Sequence, residues 1–186
     1  MADNSNDKRL LKLKEAMDKM APTAITNNIL SEMFSKLIIN SGITCGGAMT
    51  GQTLGEMLLG RHARQFFIDI VREDMVIADA LYITVPPFGG KLDYYKFIKG
   101  DTILSKLRRH SILFIVGLKY KKLKSSSLTS LLRGGKTEVD YLNGWISKKG
   151  AGLQIPTPVN DSVVRIIKEI EAGQRKINPD NLLEVR

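Results

Sequence analysis

Thr137-Glu138-Val139-Asp140-Tyr141-Leu142-Asn143-Gly144, followed by Pro156-Thr157-Pro158-Val159-Asn160, decides how the fold is read. Each stretch has the make-up of a helix start. A threonine hydroxyl accepts from the free amides of a first helical turn, so Thr137 is expected to cap a helix that runs to about Gly150. Thr157 is expected to cap a second one to about Ala172. Pro158 fits its first position, where the missing N–H costs nothing. Glu138 then falls in a first turn, where the positive helix end favours a carboxylate. Acids with no further task are common at that position as well.

Helical patterning continues towards the amino terminus. Leu10, Leu11, Leu13, Met17 and Met20 are spaced for an amphipathic helix among lysines, ended by Ala21-Pro22. Asn27 or Asn28 is placed to cap a helix from residue 29 to about 41, with Gly42 as its stop. Residues 44–51 read as a glycine-rich turn. Thr53 and Glu56 form a capping box for a short helix closed by Gly60. A long helix is expected over 61–81, a loop at 86–90, a short helix near 92–99 and another helix over 103–118. Within the last, Ile112-Leu113-Phe114-Ile115-Val116 also has the composition of a buried strand. Residues 125–127 and 133–136 read as loops. No internal repeat is visible, and the fold class expected is all-α.

A chain of 186 residues, 43% of them hydrophobic, makes one domain with a core of its own. The lone cysteine, Cys45, excludes an internal disulfide and fits a reducing cytoplasm. The polar opening, Met1 to Lys8, has no apolar segment of a secretory signal. The longest apolar run, residues 112–118, is far shorter than the ~20 residues of a membrane span. A net charge of +9 favours anionic partners. His62 and His110 are isolated, and no Cys/His spacing matches zinc, so no metal is expected. Cys45 has no histidine near it in sequence to activate it as a nucleophile. The glycines of Cys45-Gly46-Gly47-Ala48-Met49-Thr50-Gly51 do not fit G-x-G-x-x-G, so no dinucleotide site is expected in this chain.

Lys36 and Asn40 stand four apart and share a helix face, with Leu37, Ile38 and Ile39 between them. A lysine held against apolar surface loses hydration and becomes a better proton donor near neutrality. The same spacing fits a lysine whose stem lies on the core while its ammonium reaches water. Ser126 sits in a serine run where a hydroxyl can meet a ligand, or which is simply a solvated linker. Two basic runs stand out: Lys106-Leu107-Arg108-Arg109-His110 and Lys119-Tyr120-Lys121-Lys122-Leu123-Lys124. Tyr120 offers one stacking aromatic, but no nucleic-acid-binding motif accompanies either run.

Four blocks, in order, resemble the carboxyl-terminal domain of the ketopantoate reductase (2-dehydropantoate 2-reductase) family: Phe34-Ser35-Lys36-Leu37-Ile38-Ile39-Asn40, Arg72-Glu73-Asp74-Met75-Val76-Ile77-Ala78 with Ala80, Thr137 to Gly144, and Pro156 to Asn160. The resemblance implies a helical domain similar to that of 6-phosphogluconate dehydrogenase, with its core over about residues 27–173. Residues 1–26 would be a connecting helix and linker. It implies a Rossmann domain as partner, which holds NADPH, and reduction of 2-dehydropantoate to pantoate in the cleft between the two, in pantothenate biosynthesis. By resemblance Lys36 is the general acid, Asn40 binds substrate, Glu138 holds the substrate hydroxyl and Ser126 its carboxylate side. Two places depart from the pattern. Thr44 stands where the family often has a second asparagine. Ser126-Ser127-Leu128-Thr129-Ser130 lacks the methionine and aspartate usual in that loop.

Residues 1–25 are too few for a βαβ unit, which takes about 30 residues. The chain is therefore expected to stand without its nucleotide-binding half and to be inactive alone, with an apolar face open to self-association as a homodimer. Two other readings compete. One is a basic helical interaction module that kept the fold and lost catalysis; the other is a nucleic-acid binder using residues 106–124.

Overall fold

The computed structural model describes residues 7–185, so most of the polar opening read as free of a secretory signal lies outside the described residues. Among the described residues nine α-helices follow one another: α1 Lys8–Asp18, α2 Ile29–Thr50, α3 Leu54–Leu59, α4 Arg61–Ala80, α5 Tyr94–Ile98, α6 Ile103–Lys119, α7 Ser126–Leu132, α8 Asn143–Leu153 and α9 Pro158–Glu171. Two 3-10 segments, Val139–Tyr141 and Pro179–Glu184, complete the order. Among the described residues there is no strand, only one isolated bridge between Phe88 and Leu92, so the all-α expectation holds. No described helix is long and apolar enough to cross a membrane.

The helix α2 is the hub, with α3, α4, α7, α9 and the final 3-10 segment all packed on it. Its start is as expected: the Asn28 side chain accepts from Ser31 N. Its end is not. The helix passes through Gly42 and the glycine-rich stretch, and stops only at Gly51, whose φ of 74° is left-handed. The glycines are used for close approach instead. A Cβ on Gly42 would stand 2.5 Å from the Phe67 ring, one on Gly46 3.0 Å from Met57 and Phe66, and one on Gly47 2.7 Å from Ser125 Oγ. Packing against α4, α3 and α7 overrides the weak helix propensity of glycine, about 1 kcal/mol per residue.

Other local expectations divide in the same way. The Thr53–Glu56 capping box forms with both of its bonds. The apolar run 112–116 is helical within α6, where Arg109, Leu113 and Gly117 form the buried stripe. Residues 125–127 are not a loop: Ser125 accepts from Leu128 N at 3.1 Å and starts α7. Thr137 does not cap α8. Its backbone and hydroxyl both donate to Glu171 Oε1, at 2.8 and 2.7 Å, and α8 begins only at Asn143. Glu138 therefore precedes a 3-10 turn, not the first turn of an α-helix. Thr157 stands at the start of α9 without capping it. Glu73 of α4 does so, accepting from Val159 N at 2.8 Å and Asn160 N at 3.0 Å.

The core joins α2, α4, α8 and α9 through Phe34, Ile38, Phe67, Ile70, Val71, Ile146, Val163 and Ile167, all buried. Full burial of one such side chain contributes about 1.5–3 kcal/mol. The helix α1, in contrast, has no buried residue.

Candidate functional site

Lys36, Asn40 and Thr44 lie along one stripe of α2, each about 6 Å up the axis from the last. The stripe runs from solvent into the body: Lys36 is exposed, Asn40 half-buried and Thr44 8% exposed. Ile29, Leu30 and Met33 flank its outer end and are 58%, 65% and 61% exposed. This end of α2 thus combines a cation, an amide and uncovered apolar surface.

Glu138 arrives from a distant part of the chain. Val139, fully buried, pins the turn that follows it. Asn143, two residues beyond that turn, reaches across and donates to the Ser41 carbonyl of α2 at 3.5 Å. Phe34 and Trp145 pack edge to face at 5.8 Å on the same helix pair. The Cys45 thiol, beside Thr44, is pushed up chiefly by its complete burial, with the Asp74, Glu138 and Glu171 charges adding to it. The Glu138 side chain itself is exposed. Among the described residues, neither Lys36 nor Glu138 has an ion-pair or side-chain hydrogen-bond partner.

Ser126 is less well placed. It is exposed at the first position of α7, and its neighbour Ser125 is the residue seated against Gly47 of α2. Gly47 is about 16 Å along the axis from Lys36. The structure therefore aligns Lys36, Asn40 and Thr44 on α2, packs the turn after Glu138 on α8 and α9, and sets Ser126 beside the far end of α2.

Behind the stripe is a buried polar cluster to which the sequence reading assigned no role. Asn160, fully buried, donates to Asp74 Oδ1 at 3.0 Å and Glu73 Oε2 at 2.9 Å, and accepts from Asn143 Nδ2 at 2.8 Å. The Ser41 hydroxyl lies near Asp74, outside strict hydrogen-bond geometry. Burial pushes the Asp74 carboxyl well above the usual range, and Glu73 reinforces this; Asn160 and Ser41 pull the other way. Glu73 is raised as well, mainly by burial. A signal for the cluster existed: Phe67, Ile70, Val71, Asp74 and Ala78 keep the spacing of one apolar helix face, with an acid in its middle.

An exposed ammonium with an amide one turn away can grip a carbonyl or carboxylate oxygen and deliver a proton to it. Among the described residues, no group of three His, Cys, Asp or Glu is placed to hold a metal ion. The glycines at 46–51 are helix interior and helix end, so that stretch is no cradle for a dinucleotide pyrophosphate.

Residues 28–171 match the family model described as the ketopantoate reductase PanE/ApbA C terminal. Over 137 residues the chain is 25% identical to a 2-dehydropantoate 2-reductase of Pyrobaculum aerophilum; the match takes in 74% of this chain and 42% of that protein. Among solved structures it is similar to a PanE/ApbA family ketopantoate reductase from Ralstonia eutropha JMP134, with a TM-score of 0.68 and 23% identity over 89% of this chain and 49% of that one. It is also similar to D-mandelate dehydrogenase in complex with NADH, with a TM-score of 0.68 and 20% identity over 92% of this chain and 52% of that one. The chain thus spans about half the length of the relatives it matches, and the solved neighbours share its fold.

Proposed function

This chain belongs to the ketopantoate reductase PanE/ApbA C-terminal family, and from that premise we propose that it is the substrate-side helical domain of an NADPH-dependent 2-dehydropantoate 2-reductase. In this reading the exposed apolar end of α2 faces a companion nucleotide-binding domain, and a 2-keto acid lies between the two. Bound NADPH supplies the hydride. This chain supplies the grip on the substrate and the proton. Lys36 Nζ hydrogen-bonds the ketone oxygen and polarises the carbonyl. As the π bond breaks and charge gathers on oxygen, the ammonium gives up a proton, the O–H bond forms, and the lysine is left as a neutral amine. Asn40 holds the substrate one turn further in. Glu138 accepts from the substrate hydroxyl, and Thr44 and Ser126 offer hydroxyls to the remaining polar end.

One observation carries the proposal: Lys36 and Asn40 share an uncovered, apolar-flanked face of α2, and among the described residues neither has an internal side-chain partner. Groups that act on a ligand must be free of internal partners, and these are. The test is NADPH oxidation with 2-dehydropantoate, by the chain alone and by the chain joined to a nucleotide-binding domain. Turnover is expected only from the joined protein. A joined protein that folds and binds NADPH yet reduces no 2-keto acid would overturn the reading, and would favour a basic helical interaction module that shares the fold.

A further inference from the structure

A cavity of about 550 Å³ opens between α4 and α6, on a different helix pair from the stripe of α2. Its charged lining is Arg61, Arg64 and Arg72 from α4, with Lys106, Arg109 and His110 from α6. Among the described residues, no acidic side chain lines it. The nearby acids are engaged at its edge: Asp69 and Asp101 pair with Arg72 at 3.6 and 2.8 Å, and Asp101 also lies 3.9 Å from Arg109 Nη2. One of the two basic runs singled out in the sequence, residues 106–110, thus turns inward to form a wall.

Two of the guanidinium groups are held in place from behind. Arg109, only 1% exposed, donates through Nη1 to the carbonyls of Ile98 and Gly100 at 3.2 and 2.7 Å, where α5 ends. Arg64 Nη1 donates to the Leu58 and Leu59 carbonyls, each at 2.7 Å, where α3 ends. These bonds fix the forks and leave other donors spare. Arg64 Nε, Arg109 Nε and His110 Nδ1 are all buried, and none has a hydrogen-bond partner in the protein. A buried donor without an acceptor costs about 1–3 kcal/mol, and native proteins keep few of them. These atoms are sealed and cannot touch a ligand in this conformation; what calls for a ligand rich in acceptor oxygens and negative charge is the set of five cationic side chains around one cavity. Phosphate oxygens match the planar fork of arginine, and a single phosphate is small against this volume. Ile103 and Leu107 form an apolar lip, 87% and 62% exposed, suited to the organic part of such a ligand.

We propose that this cavity is a binding site for a small molecule carrying two or more linked phosphates. Arg64 takes phosphate oxygens as a fork held from behind, Lys106 and Arg61 close over the charge from the rim, and the buried Arg109 and half-buried His110 stand behind them as charge and reporter. The histidine also serves as a reporter. Its pKa is lowered by burial and by Arg64, Arg61 and Arg109, against which Asp69 acts weakly; a bound polyanion offsets the three arginines and raises it.

The test is a titration of the whole 186-residue chain with inorganic tripolyphosphate at physiological salt, followed by NMR. Saturable shifts are expected at the Arg64 and Arg109 Nε–Hε groups and at the His110 ring, with the His110 midpoint rising by about half a pH unit or more. Arg61→Gln with Lys106→Gln removes two exposed rim charges that make no internal side-chain bond, and should weaken binding about tenfold. Lys148→Gln with Lys176→Gln removes the same charge from other exposed positions and should change it less than about twofold. Equal weakening by both pairs would reduce the effect to general attraction, and shifts that bypass Arg64, Arg109 and His110 would remove the site. Tighter binding of a single-stranded oligonucleotide at the same residues would reassign the face to nucleic acid. Each of these results overturns the proposal.

Discussion

The two faces of α2 carry polar groups under opposite conditions. On the outer face Lys36 is exposed and unpaired, and Asn40 is half-buried beside it. On the inner face the Ser41 carbonyl and hydroxyl adjoin a sealed cluster in which Asn160 alone makes bonds to Glu73, Asp74 and Asn143. Five residues of helix separate Lys36 from Ser41, which turns them to opposite sides. The difference separates two roles that family resemblance alone runs together. Residues in the recognisable blocks divide into those that, among the described residues, have no internal side-chain partner and those that hold the helices in register. Changes to the second group should act on stability, and changes to the first on turnover.

The largest effect is expected at Asn160→Ala. Its amide is the common partner of three side chains, all of which would lose a bond where water does not replace it. The loss should be about 3 kcal/mol, read as a lower urea midpoint of the isolated chain. A loss below about 1 kcal/mol would mean that the cluster adds nothing beyond ordinary packing.

Lys36→Ala should give the opposite profile. Folding stability should move by no more than about 0.5 kcal/mol, as for an exposed residue without partners. In the joined enzyme turnover should fall about a hundredfold, the scale of a lost general acid, with a smaller change in KM while Asn40 and Glu138 still hold substrate. Turnover within a few-fold of the parent would return Lys36 to the class of solvated helix lysines.

What was legible in the sequence follows the reach of the interactions concerned. Asn28, Thr53 with Glu56, and the four-residue spacing of Lys36 and Asn40 act within one or two turns, and each forms as read. Gly42 was read locally as a stop, but what it meets is Phe67, 25 positions later. Thr137 was read as a helix cap, but its partner is Glu171, 34 residues away. The cap of α9 likewise comes from Glu73, which no local pattern reveals. The cavity between α4 and α6 needs both helices before its charges meet. Gly42→Ala tests this account of α2. A mid-helix alanine helps by propensity alone, yet here its Cβ would press on Phe67 at 2.5 Å, so a net loss of about 2 kcal/mol is expected. A gain in stability would show that the local reading of glycine was sufficient.

The narrowest test isolates one proton in the inner region. Asp74 is fully buried, and its carboxyl is held well above the ordinary range, first by burial and then by Glu73. In the unfolded chain it ionises near about 3.9. Below that value both states carry the proton, and the stability contributed by the cluster is complete. As pH rises above it, the unfolded chain releases a proton that the native chain keeps. Stability then falls by about 1.4 kcal/mol per pH unit until the native pKa is passed. Asp74→Asn keeps an acceptor for Asn160, sets an amide near the Ser41 hydroxyl and removes the titration. The parent should therefore lose stability relative to the variant as pH rises from about 4. Glu73 is raised too, with the same sign, but it is present in both proteins and drops out of the difference. So do the half-buried Glu169 and the exposed Glu184, held low by Arg175. Urea midpoints of both proteins across pH 4–8 decide the matter. A difference that stays flat would mean that Asp74 titrates alike in both states, and the sealed inner face would then be no drier in its chemistry than the open one.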